Sequence, residues 1–147
     1  MQIRRATMAD ETALKQIRRD SILALAGPDV SSEEAEAWAT RPAADRVARA
    51  IREHEVWVAV DDVEIGWIEI EEDRVAGLYV APSFGKRGVG SELMFHAETE
   101  IRCAGHAAAR LEASRNALSF YLDRGYVHAG AQLPDTSWPL GKSLADV

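Results

Sequence analysis

Val75-Ala76-Gly77-Leu78-Tyr79-Val80-Ala81-Pro82-Ser83-Phe84-Gly85-Lys86-Arg87-Gly88-Val89-Gly90-Ser91 passes from an uncharged apolar stretch through a glycine-rich turn into helical spacing. Val75 to Val80 reads as a strand ending before Pro82, and its lack of charge predicts cover on both faces. From Gly88 to Gly105 the pattern is helical, with Leu93, Met94, Ala97 and Ile101 on one face and Gly105 placed to cap the end. Glycines let backbone approach a ligand closely, and the first amides of a helix suit anionic oxygens. Lys86 and Arg87 add two cations beside those amides, which points to a phosphate-bearing ligand such as a pyrophosphate.

Spelling excludes two rival phosphate loops. A Walker loop on Gly85-Lys86 requires a glycine five residues earlier and a Ser or Thr after the lysine, where this chain has Val80 and Arg87. A dinucleotide fingerprint on Gly88 and Gly90 requires a third glycine where the chain has Leu93.

Upstream of this stretch, Val56 to Val60 and Val63 to Ile70 read as two strands joined by a tight turn at Asp61-Asp62, and Glu71-Glu72-Asp73 makes the next turn. The N-terminal part is helical. Thr7 to Asp10 spells a capped start, Leu14, Ile17, Ser21 and Leu25 keep one face, and Gly27-Pro28 stops the helix. A short helix carrying Trp38 follows Ser31, and Pro42 opens another with Val47, Ala50 and Ile51 on its buried side. Downstream, Ala108 to Ala113 is a strand, Asn116 caps a helix closed by Gly125, and Tyr126 to Ala129 is a further strand. Trp138 to Leu144 is the last strand, with Pro139 confining part of it to an edge. No repeat, low-complexity tract or linker divides the chain, so one domain over 1–147 is expected.

The 147 residues suffice for one core, and 47% hydrophobic with 28% charged residues is ordinary globular usage. A net charge of −7 argues against nucleic-acid binding and favours cationic partners. Uncharged runs are too short to span a bilayer, and the first residues lack the apolar region of a secretory signal. With Cys103 alone no internal disulfide forms, and a cytoplasmic location is expected.

Two passages together resemble the GNAT superfamily of acyl-CoA-dependent N-acetyltransferases. Val80-Ala81-Pro82 is similar to that family's strand exit, and Lys86-Arg87-Gly88-Val89-Gly90-Ser91 to its coenzyme loop and first helical turn. Asn116-Ala117-Leu118-Ser119-Phe120-Tyr121-Leu122-Asp123-Arg124-Gly125-Tyr126 is similar to its second motif. The resemblance implies an α+β domain whose mixed central sheet is flanked by helices, with a splayed strand pair holding the coenzyme. It implies acetyl-CoA as donor and acetyl transfer to a primary amine, a small cationic molecule being favoured by the net charge. A protein or aminoacyl amine, and a catalytically silent acyl-CoA-binding module, are the alternatives. Assembly is left open, a homodimer included.

By the same resemblance the coenzyme contacts are Tyr79, Val80, Gly85, Lys86, Arg87, Gly88, Val89, Gly90, Ser91 and Asn116, and the Tyr121 hydroxyl protonates the leaving thiolate. The chain departs from the pattern twice. Gly85 stands where the loop has Arg or Gln, and Arg74 is the charged residue near the start of the strand where many members carry a glutamate base. An amine acceptor must still lose a proton before it attacks. Glu112 and Glu69 rank first for that task, ahead of Glu72 and Asp73, and a backbone amide around Tyr79 or Val80 is expected to stabilise the oxyanion.

Plainer readings stand beside these. By pattern alone Tyr121 is a core tyrosine, and Glu69 to Asp73 is a solvated hairpin end paired with Arg74. His54, His96, His106 and His128 lack a zinc spacing, so no metal is expected. Cys103 reads as a small buried hydrophobe. Trp57, Trp67 and Trp138 read as core or pocket wall, and Trp38 as a wall of the acceptor site.

Overall fold

In the computed structural model, which describes residues 1–25, 45–85 and 87–145, the strands form one mixed seven-stranded sheet. Its strands are β1 (Gln2–Arg5), β2 (Glu55–Asp61), β3 (Val63–Glu71), β4 (Arg74–Val80), β5 (Ala108–Ala113), β6 (Val127–His128) and β7 (Trp138–Ser143), in the order β1-β2-β3-β4-β5-β7-β6. All neighbours are antiparallel except β4 and β5. Helices α1 (Glu11–Leu25) and α2 (Arg46–Glu53) cover one face, and α3 (Val89–Cys103) and α4 (Leu118–Leu122) the other. The glycine-rich turn leaves β4 through a 3₁₀ turn, Pro82–Phe84, and enters α3 at Gly88.

Each face has its own core. Leu14 and Ile17 of α1 and Val47 and Ala50 of α2 pack on Val56, Val58 and Trp67. The Trp67 indole N–H donates to the Leu14 carbonyl at 3.1 Å, tying α1 to the middle of the sheet. On the other face Leu93, Met94, Ala97 and Ile101, the four residues whose spacing predicts the helix, meet Ile68, Ile70, Val75 and Leu111. Burying a side chain such as Leu14 or Ile17 stabilises by roughly 1.5–3 kcal/mol, against about 1 kcal/mol for a helix cap. Packing therefore holds α1 more than its start signal does. The expected start is a 3₁₀ turn at Met8–Asp10, where the Thr7 N–H donates to the Asp10 carboxylate at 2.8 Å, and α1 follows from Glu11.

Several expectations are corrected. The N-terminus forms β1, which four residues with two arginines do not announce, because pairing with β2 supplies the hydrogen bonds. Asn116 does not cap the following helix; the chain turns at Arg115–Ala117, Ala117 occupies the cap position and α4 begins at Leu118. The strand after Gly125 shrinks to Val127–His128. β7 runs between β5 and β6, yet its Pro139 end is an edge as expected, because β6 ends opposite Leu140. Cys103 is exposed, since it stands two residues, about 200° of helix, from buried Ile101. Glu69 is not a solvated hairpin end: it is 3% exposed, because the hairpin turns only at Glu72-Asp73. β4 is not fully covered either, and Ala76 to Val80 stay half-buried for a reason that belongs to the site. Residues 26–44, with the expected Trp38 helix and Pro42, lie outside the described residues.

Candidate active site

β4 and β5 are neighbours for only two pairs, Arg74 with Arg110 and Val75 with Leu111. β4 then bulges at Ala76 against β3, and no further pairing with β5 follows. The two central strands splay, which is why the end of β4 lacks full cover. Along β4 the Ala81 N–H donates to the Ile65 carbonyl at 2.8 Å, and Tyr79 stands opposite Trp67. Antiparallel alternation turns the peptide groups of Tyr79 toward β3 and those of Leu78 and Val80 toward the gap. The Tyr79 ring lies on the α1–α2 face against Trp67, with centroids 4.8 Å apart.

An open cavity of about 670 Å³ fills the gap. It is lined by Leu78 and Val80 of β4, by Gly85, Gly88, Gly90 and Ser91 of the glycine loop and first turn of α3, and by Asn116, Tyr121 and Arg124. Ser21 and Ala24 of α1 reach it from the far side of the sheet. Six of the expected coenzyme contacts therefore share one cavity: Val80, Gly85, Gly88, Gly90, Ser91 and Asn116. Tyr79 and Val89 do not line it, the Val89 side chain being 2% exposed in the core. Arg87 is exposed, its guanidinium 5.2 Å from the centre of the Phe84 ring, and Lys86 lies outside the described residues.

Local backbone chemistry builds the loop end. Gly88 caps α3 with φ of 79°, a left-handed conformation that glycine adopts at little cost. Gly90 has a different reason: a Cβ there would stand 3.2 Å from the Phe120 ring, so the first turn of α3 and α4 pack closely only without a side chain. Arg124, which sequence reasoning passed over, lies over Phe120 with its guanidinium carbon 3.6 Å from the ring centre. It donates to the Ser91 hydroxyl and, at 2.9 Å, to the Phe120 carbonyl. Among the described residues no carboxylate pairs with it. An Arg at the end of an Asn-to-Gly motif is the only sequence signal it leaves.

Tyr121 is 8% exposed and makes edge contacts with Phe120 and Tyr126 at 5.1 and 5.9 Å. Burial, and secondarily the Tyr79 phenol, push its hydroxyl far above the ordinary tyrosine range, opposed in part by Arg124. It keeps its proton throughout the neutral range, as a hydrogen-bond donor or acid must.

The carboxylates lie on the other face. On β5, Ala109, Leu111 and Ala113 point into the α3–α4 core, so Glu112 points away from it, where Arg74 Nε donates at 2.8 Å. Glu69, directly across from Gly77, lies beside α2 with its Oε1 2.9 Å from the Arg46 guanidinium and its Oε2 2.5 Å from His54 Nδ1. With Arg46, His54 and Ala76 it lines a smaller cavity of about 260 Å³ at the start of the splay. Tyr121 and the two carboxylates thus flank the β4–β5 gap from opposite sides. The described residues hold no cluster of His, Cys, Asp or Glu suited to a metal ion.

The model of the acetyltransferase (GNAT) domain matches residues 26–136, more than half of the chain. The chain belongs to the GNAT acetyltransferase family. This GNAT protein is accordingly an acyltransferase, and acetyl-CoA is its donor. No curated protein sequence is similar enough to be matched. Among solved structures, a GCN5-related N-acetyltransferase from Rhodopseudomonas palustris is 27% identical with a TM-score of 0.85, covering 97% of this chain and 94% of its own. PaiA N-acetyltransferase from Thermoplasma acidophilum, solved with coenzyme A, is 22% identical with a TM-score of 0.81 over 97% and 98%. The Salmonella typhimurium protein yncA, solved with acetyl-CoA, is 22% identical with a TM-score of 0.67 over 98% and 94%. No helix of this GNAT domain, among the described residues, is long and apolar enough to cross a membrane.

Proposed function

We propose that this acyltransferase moves the acetyl group of acetyl-CoA to the primary amine of a small molecule. One observation carries the reading: where β4 parts from β5, a cavity lined by the glycine loop and a buried phenol lies on one face of the sheet, and a second, carboxylate-bearing cavity lies on the other. Donor and acceptor then meet from two sides without competing for one entrance. A chain of net charge −7 draws an ammonium-bearing acceptor toward it.

In this reading the coenzyme phosphates lie at Gly85, Gly88, Gly90 and Ser91, and Asn116 holds the pantetheine arm. The acceptor ammonium gives a proton to a carboxylate, Glu69 or Glu112, and the nitrogen lone pair forms the new C–N bond at the thioester carbon. Negative charge on the carbonyl oxygen is met by a backbone N–H from the gap-facing peptides of Leu78 and Val80. As the C–S bond breaks, Tyr121 gives its proton to the departing sulfur, and the nitrogen, which becomes an amide by losing its second proton, returns one to the phenolate. Calorimetry with acetyl-CoA, followed by thiol release across a panel of small amines, tests the reading. Binding with amine-dependent release supports it. Binding without release from any amine or peptide favours the silent module, and no binding overturns it.

Arg124 is suited to the side-chain contact that Gly85 cannot make, because its guanidinium lines the same cavity as the loop. Replacing Arg124 with Ala is expected to raise the KM for acetyl-CoA about tenfold, the worth of one hydrogen bond to a charged group, with kcat little changed. Steady-state kinetics at saturating amine checks this.

A further inference from the structure

His54 occupies the junction where α2 ends and β2 begins, and both of its ring nitrogens face carboxylates. Nδ1 is 2.5 Å from Glu69 Oε2, and Nε2 is 2.8 Å from Glu71 Oε2. Glu69 and Glu71 are two apart on β3 and so present the same face, which is what lets one imidazole reach both. Their surroundings differ: the Glu69 side chain is 3% exposed and the Glu71 side chain 43%. His54 also stands between two cavities, the smaller one described above and a larger one of about 690 Å³ onto which Glu71 opens.

Glu69 Oε1 is buried, and although Arg46 neutralises it at 2.9 Å, no donor among the described residues is aligned on it as a hydrogen bond. A carboxylate with one oxygen tied to an imidazole and the other holding an unused lone pair has the form of a base backed by a second base. Around the ring, among the described residues, the charged groups are Asp45 before α2, Arg46, Arg49 and Glu53 from α2, Glu55 from β2, Glu69 and Glu71 from β3, and Arg74 from β4. Across the larger cavity stand Arg5, Glu72, Glu100, His106 and Arg110.

We propose that Glu69, His54 and Glu71 act as one composite base, in which the proton taken from the acceptor is stored on the His54 imidazole between the two carboxylates. This rests on the acetyltransferase reading with Glu69 as the proton acceptor. The acceptor N–H bond breaks and its electron pair stays on nitrogen. At rest one proton lies in the short hydrogen bond between Glu69 Oε2 and His54 Nδ1 while Nε2–H is held by Glu71. As the acceptor's proton adds to Glu69 Oε1 the shared proton moves fully onto Nδ1, leaving Glu69 protonated once and the imidazolium with its Nε2–H still on Glu71. After the product leaves, the proton returns by the same path to water in the emptied cavity. His54 acts through Glu69 and is a positioning residue, as is Glu71.

The test is the pH dependence of kcat/KM for the amine in Glu69→Gln, His54→Gln and Glu71→Gln, with acetyl-CoA binding measured in each. His54→Gln is expected to lower kcat about tenfold or more, leave acetyl-CoA affinity unchanged, and move the acid limb of the profile to lower pH, because a carboxylate alone then accepts the proton. Glu71→Gln moves the rate in the same direction by less, and added imidazole partly restores a His54→Ala variant. A wild-type rate in Glu69→Gln overturns the choice of base and the composite with it. A large loss in Glu69→Gln, with wild-type rate and profile in His54→Gln and Glu71→Gln, overturns the composite and leaves the base standing. Should His54→Gln fail to fold, Glu71→Gln carries the test alone, and an unshifted profile there overturns the proposal.

Discussion

Replacing Tyr121 with Phe is expected to lower turnover about 100-fold, within the range for loss of a positioned acid, while the acetyl-CoA dissociation constant changes by less than about twofold. The change removes one oxygen and leaves the ring contacts with Phe120 and Tyr126, so the wall of the donor cavity keeps its shape. The same burial that raises the hydroxyl so far makes it a poor acid in free solution. In the proposed role it acts on a sulfur that becomes a thiolate only as the C–S bond breaks. Thiol release at saturating substrates, set beside calorimetry, separates the two quantities. Unchanged turnover would remove Tyr121 from the mechanism and return it to the core.

Gly90→Val is expected to weaken acetyl-CoA binding about 100-fold or more, the equivalent of about 2.7 kcal/mol. The first added carbon already stands 3.2 Å from Phe120, so that ring, and with it Arg124 stacked upon it, must move. The valine methyls also enter the cavity in which the coenzyme is proposed to lie. Overpacking of this kind costs the free protein roughly 1–3 kcal/mol, which a melting curve reports separately from binding. Binding retained at wild-type strength would place the coenzyme away from the first turn of α3. Gly88→Ala makes a useful contrast: nothing lies within 4 Å of its Cβ, so its cost is confined to the left-handed backbone.

Legibility varied with the range of the interaction each feature depends on. The α3 face of Leu93, Met94, Ala97 and Ile101 could be read because a helix repeats every few residues along the chain. β1 could not, because four residues of modest apolarity become a strand only beside β2. Asn116 spelled a cap and is not one, since the turn at Ser114–Ala117 is set by the exit of β5. Arg124 lay inside a motif that gave it no role, and His54 carried no motif. Each is notable for what stands next to it, Ser91 and Phe120 for the one, Glu69 and Glu71 for the other.

The amino-acid sequence by itself determined the family and the succession of strands and helices from β2 to β5, because these rest on local periodicity and on residues spaced closely along the chain. Only the tertiary structure decided that β4 parts from β5 after two pairs and that Tyr121 and Glu69 flank the gap from opposite faces. It also decided that a glutamate resembling a hairpin end is buried against Arg46 and His54. The physical reason is that burial and side-chain direction depend on which strands pair and in what register. A shift of one residue turns every side chain of a strand to the other face, and no single stretch of sequence records the pairing.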